Sequence, residues 1–128
     1  MTIPAPPLAA VDEEVASSTV RRVDLRLRDA AVRLSGGVTS ADVRVAQQTI
    51  GAAEQALAAL VHDPWEPSVG PIRHAREILS SHLLAAAACA GADVAAPVTA
   101  RVLRRGAESA RRVLAAHPPR LRGADPSF

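Results

Sequence analysis

The sequence has no lysine, no asparagine and no tyrosine, and it holds one cysteine, one tryptophan and one phenylalanine. Each absence excludes something. A lone Cys89 rules out an intramolecular disulfide framework and offers no cysteine-based zinc pattern. With Trp65 and Phe128 as the only aromatics, there is no series of rings on which nucleic-acid bases could stack. Residues 1–10 have neither a basic start nor an apolar centre, so no secretory signal is expected. The longest uncharged stretch, Ile78 to Ala92, contains Ser80, Ser81 and His82. It is shorter than the ~20 apolar residues a membrane helix requires. No membrane span is expected, and the expected compartment is the cytoplasm. Glycine-rich phosphate loops, serine elbows and paired acid–base motifs are all missing. Catalysis has no advocate in this sequence, and no cofactor is implied.

A chain of 128 residues is one domain by length, and such a domain buries roughly two-thirds of its unfolded surface. Alanine is its commonest residue, so the core must rest on Leu, Val, Ile and Ala. All 15 basic side chains are arginine. Arginine and alanine in place of lysine and asparagine are what a GC-rich genome writes, such as an actinomycete's. The arginines therefore do not signal selection for phosphate geometry. The pI of 9.9 misleads, because with no lysine or tyrosine present a small excess of arginine carries it far upward; the net charge of +2 is mild.

Hydrophobic periodicity predicts four helices, at about 11–35, 40–62, 71–90 and 97–117. In the first, Val20, Val23, Leu27, Ala30 and Leu34 share one face, and Gly36-Gly37 stops it. Val23 to Arg28 also alternates like a strand, but the longer period and the lack of a partner strand favour helix. Thr39 is placed to cap the second helix, with Asp42 in the capping-box position. Val43, Ala46, Ile50, Ala53, Leu57 and Leu60 then follow a heptad spacing. Prolines 64, 67 and 71 break the pattern. The third helix puts Ile72, Ala75, Leu79, His82, Ala86 and Cys89 on one stripe and ends at Gly91. The fourth is expected to turn Val98, Val102, Gly106, Ala110 and Val113 inward. The expected fold is all-α: an antiparallel four-helix bundle over 11–117, with disordered N- and C-terminal tails at 1–10 and 118–128.

Several residues invite a chemical reading. His74 and Glu77 share a helical face, but a di-metal bundle needs a second such pair and more inward glutamates, so no metal site is expected. His82 and Cys89 lie seven residues apart, about 10 Å along the axis, too far for a nucleophile pair. His82 is read as a core histidine with a backbone partner. An enzyme would need a pocket joining it to groups such as Thr49 or Glu54. A helix-turn-helix around Gly51 fails, because the helix that follows has no arginine before His62. Arg101, Arg104, Arg105, Arg111 and Arg112 fall within an arc of roughly 120° on the fourth helix, and Arg120 and Arg122 extend the charge. Trp65, between Pro64 and Pro67, either plugs one end of the bundle or anchors a partner.

Ile50-Gly-Ala-Ala-Glu through Leu57, followed by His74-Ala75 and Ile78-Leu79 within Pro71 to Leu84, resembles uncharacterised short helical proteins of Streptomyces and related actinomycetes. Those carry an Ile-Gly-x-Ala helix followed by a His-Ala-x-x-Leu helix. The resemblance covers a quarter to a third of the chain. It implies an all-helical fold, and it implies no activity and transfers no site residue.

The expected function is that of a non-catalytic helical interaction module, an adaptor or regulatory partner that binds another helical protein or forms a homodimer. Arg101, Arg104, Arg105, Arg111, Arg112 and Trp65 are its candidate contacts. The rival reading is a weak, sequence-independent nucleic-acid binder acting through the arginines of the last helix.

Overall fold

The computed structural model describes residues 8–61 and 70–116, with side chains from residue 15 onward. These residues form four helices: α1 (Leu8–Arg33), α2 (Ser40–Leu60), α3 (Gly70–Gly91) and α4 (Ala96–Ala116). There is no strand among the described residues, so the alternation over Val23 to Arg28 is carried on a helix. α1 starts earlier than expected. Leu8, Ala9 and Ala10 are helical because strong helix formers directly follow Pro6-Pro7. Residues 1–7 of the expected N-terminal tail at 1–10, the expected tail at 118–128, and Trp65 with Pro64 and Pro67 lie outside the described residues.

The helix ends follow from local chemistry. Thr39, extended at φ −97 and ψ 166, caps α2 in a reciprocal box with Asp42. At the end of α3 the Val94 N–H bonds to the Cys89 carbonyl at 3.0 Å and the Asp93 N–H to the Ala90 carbonyl at 3.2 Å. This is a Schellman closure, and its left-handed residue is Asp93, with φ 57, rather than a glycine. Pro97 occupies the first turn of α4, where its missing N–H costs nothing.

The helices form a ring in which each packs on its chain neighbours and α1 also packs on α4. α2 and α4 touch across the short diagonal, whereas α1 and α3 hardly meet. Arg33 pairs with Asp42, Glu54 with Arg76, and Gly106 packs against His82, so each contact joins positions at similar distances from the connection between its two helices. Consecutive helices therefore run antiparallel. Val23, Leu27 and Ala30 of α1, with Leu34 just past its end, meet the heptad residues Val43, Ala46, Ile50, Ala53 and Leu57 of α2 in one buried core. α3 adds Ile72, Ala75, Leu79 and Ala86, while His82 and Cys89 on the same stripe are only half-buried.

The inward face of α4 differs from the one expected. Gly106 and Ala110 are buried, but so are Thr99, Ala100, Leu103, Ala107 and Leu114. Val98 is 44 % exposed, and Val102 and Val113 lie at the margin. The apolar arc of α4 is wider than the core can cover. The valines mark one edge of it, and the core takes the half that holds the leucines.

Candidate functional site

α1 and α2 pack along their buried stripes and leave a trough along the outside of their junction. One part, of about 750 Å³, is lined by Val32, Arg33, Val45, Gln48 and Thr49 among others. A second, of about 400 Å³, is lined by Val15, Thr19, Arg22, Ala56, Ala59 and Leu60 among others. Arg26 and Ala52 line both, which makes the two parts one channel. From Val15 to Arg33 it runs about 27 Å at the rise of an α-helix. Val15 is 52 % exposed, Val32 67 % and Val45 41 %. These valines sit out of phase with the buried stripes of their helices, which is why they face solvent.

The two walls differ in chemistry. The α2 wall carries no charge: Val45, Gln48, Thr49, Ala52, Ala56 and Ala59. Thr49 donates its hydroxyl proton to the Val45 carbonyl at 3.0 Å, so it adds little polarity. Among the described side chains the α1 wall carries Arg22, Arg26 and Arg33 against a single acid, Asp29. Arg33 lies 3.6 Å from Asp42, and Asp29 lies 3.6 Å from Arg28. Arg22 and Arg26 are exposed and make no ion pair among the described residues.

At the other side of α2 a smaller cavity of about 250 Å³ lies where α2 begins and α3 turns into α4. Ser40, Arg44, Gln47, Asp93 and the buried Thr99 line it. Arg44 and Asp93 balance each other, so the cavity has no net charge to select an ion.

The arginines of α4 do not present one uniform cationic stripe. Arg111 donates to Asp24 of α1 at 2.9 Å. Arg104 lies 3.4 Å from Glu108, one turn along. Arg112 donates to the Ser109 hydroxyl at 3.1 Å. Arg101 and Arg105 are exposed. Arg111 and Arg104 sit on the edge of the arc nearest the core, where acids of the bundle reach them. Arg120 and Arg122 lie outside the described residues, as does Trp65.

His82 is half-buried, with its Nδ1 at 2.8 Å from the Ile78 carbonyl, so it has the backbone partner expected of a core histidine. Glu54 is held by Arg76 at 3.5 Å. Thr49, on the trough, is likewise engaged locally, so these three residues do not converge on one pocket. His74 and Glu77 are exposed. Among the described residues no three His, Cys, Asp or Glu side chains cluster to hold a metal ion. Nor is any helix among them long and apolar enough to cross a membrane.

Sequence reasoning missed the trough. Its signal was present as Val32 and Val45, large apolar residues that fit neither buried periodicity. No family model, curated protein or solved structure matches the chain.

Proposed function

We propose that this chain is a helical interaction module, an adaptor or regulatory partner that acts by packing a helix face rather than by chemistry. One observation carries the reading: the channel along α1 and α2, with Val15, Val32 and Val45 left exposed on its walls. They are three of the six large apolar side chains exposed among the described residues, the others being Leu25, Leu84 and Val98, and a groove edged by exposed apolar side chains is a place where another surface packs. Alanines on one wall let the backbone of a visiting helix come close. The partner is a second helical protein or a second copy of this chain. The cytoplasm is the compartment proposed, where the unpaired Cys89 stays reduced.

The nucleic-acid reading has less support, because Arg104 and Arg111 already have acidic partners. One experiment addresses both. Solution mass is measured by light scattering at low and high salt, with duplex DNA and with extract of the source cells, for the wild type and for Val32→Glu/Val45→Glu. Both valines are exposed, so the variant keeps its fold. An assembly that ignores DNA and is lost in the variant supports the module. A mass shift with DNA only at low salt, abolished by Arg101→Gln/Arg105→Gln, supports the rival. Assembly that persists unchanged in the valine variant overturns the trough as the contact surface.

A further inference from the structure

We infer that the occupant of the trough is an amphipathic helix of another protein, with acidic side chains along one flank. The inference rests on the interaction-module reading and adds the partner's chemistry. Three features define that chemistry.

The first is charge. Among the described side chains the α1 wall sets Arg22, Arg26 and Arg33, the last also engaged by Asp42, against Asp29 alone, and the facing α2 wall is neutral. A visiting helix thus meets positive charge on one flank only. Arg22 and Arg26 are four residues apart on one helix face, about 5–6 Å from each other. Glutamates at i and i+4 on the visitor match that spacing, and each ion pair forms at the rim, where it sets orientation and partner choice.

The second is shape. Ala52, Ala56 and Ala59 form a shallow stretch of the α2 wall, short of Leu60, and a space of about 400 Å³ lies between it and α1. The visitor must supply the bulk, so its inward face carries leucine-sized residues. At about 27 Å the channel takes roughly 18 residues of helix, a length at which helix-in-groove recognition reads several turns.

The third feature argues against a second copy. Arg26 lies at the middle of the channel, lining both halves. Two copies meeting groove to groove about a two-fold axis bring Arg26 of one toward Arg26 of the other, and like charges at a contact are repulsive.

The test uses the full chain and two synthetic helix-forming peptides of ~20 residues. Both have leucine and alanine on one face, and one flank carries glutamate at i, i+4 spacing or lysine at the same places. Binding is measured by titration calorimetry to the wild type and to Arg22→Glu/Arg26→Glu, whose fold is checked by circular dichroism. The expected result is binding of the glutamate peptide to the wild type, weakened at least tenfold by the charge reversal and by high salt. The lysine peptide gains affinity for the reversed variant. Equal binding of both peptides, or no effect of reversal, overturns the inferred partner and leaves the module reading intact. Failure of both peptides, with a concentration-dependent dimer that Val45→Glu dissociates, also overturns it and makes the occupant a second copy. Failure of both peptides with a monomer at every concentration overturns the partner. The module reading then stands or falls on the valine variant in cell extract.

Discussion

Gly106 on α4 lies flat against His82 on α3, so close that a Cβ built on the glycine would be 2.6 Å from the His82 Cβ and 2.7 Å from its Cγ. The glycine is needed here for space rather than for backbone freedom, since it sits inside a regular helix. The imidazole in turn is held by the Ile78 carbonyl one turn back. The contact sets how closely α3 and α4 approach at mid-length.

Gly106→Ala is expected to destabilise the bundle by about 1–3 kcal/mol, the range for overpacking a close contact. The clash is with a Cβ fixed to the backbone. His82→Ala therefore does not rescue the variant, whereas His82→Gly relieves the overlap at a helix-propensity cost of about 1 kcal/mol. Urea denaturation of the single and double variants checks this. Full rescue by His82→Ala would show that the ring alone makes the close contact.

The α4 face can be tested by truncation. Leu103→Ala, at a fully buried position, should cost about 2–5 kcal/mol. Val98→Ala, at an exposed one, should change stability by less than about 0.5 kcal/mol. A larger loss at Val98 than at Leu103 would return the inward face to the valines.

Asp93→Gly is expected to stabilise the chain by about 1 kcal/mol. The aspartate holds the left-handed position of the α3 closure, which glycine occupies without steric cost. Thermal unfolding at neutral pH should show a melting temperature a few degrees higher. An unchanged or lower value would mean that the Asp93 side chain contributes what glycine lacks.

The capping box makes a pH prediction. The Thr39 backbone N–H, at 3.1 Å, and then its hydroxyl, at 3.0 Å, hold the Asp42 carboxyl below its ordinary value, with Arg33 adding to the effect. A group depressed on folding contributes stability that is fully present above its unfolded pKa. That contribution disappears as pH falls through the lowered folded value. The stability advantage of the wild type over Asp42→Asn should thus be constant above pH about 4–5 and shrink below it. A difference that does not vary between pH 6 and pH 2 would remove the carboxylate from the account.

Arg111 and Asp24 are both about one-third exposed, and their hydrogen bond ties α4 to α1. A double-mutant cycle with alanine should give a coupling of about 0.5–1 kcal/mol that weakens with salt. Coupling below the error of the measurement at low salt would make the pair incidental.

The fold was legible wherever one periodicity and one terminator agreed. In α2 the heptad from Val43 to Leu57, with Thr39 and Asp42 before it, specified face and start together. Along α4 the stripe was misread because valines and leucines occupy adjacent sectors of one broad apolar arc. Periodicity locates the centre of an arc, and it cannot say which half a neighbour will cover. The arginine row was legible as a row, but its pairing depends on Asp24, 87 residues away, which no local pattern reveals. The trough was hidden for a related reason, since it exists only where the exposed margins of two helices come side by side.

Among the described residues, nearly half of the buried apolar positions are alanine, including Ala46, Ala75, Ala86, Ala107 and Ala110. Alanine scanning is therefore blind to much of this core. Its vulnerable direction is enlargement: where helix backbones ride this near one another, one added methyl is the disruptive change. A library that replaces these alanines with serine, valine and leucine would trace the contact lines between helices, and the tolerated size at each site would measure the local gap between backbones.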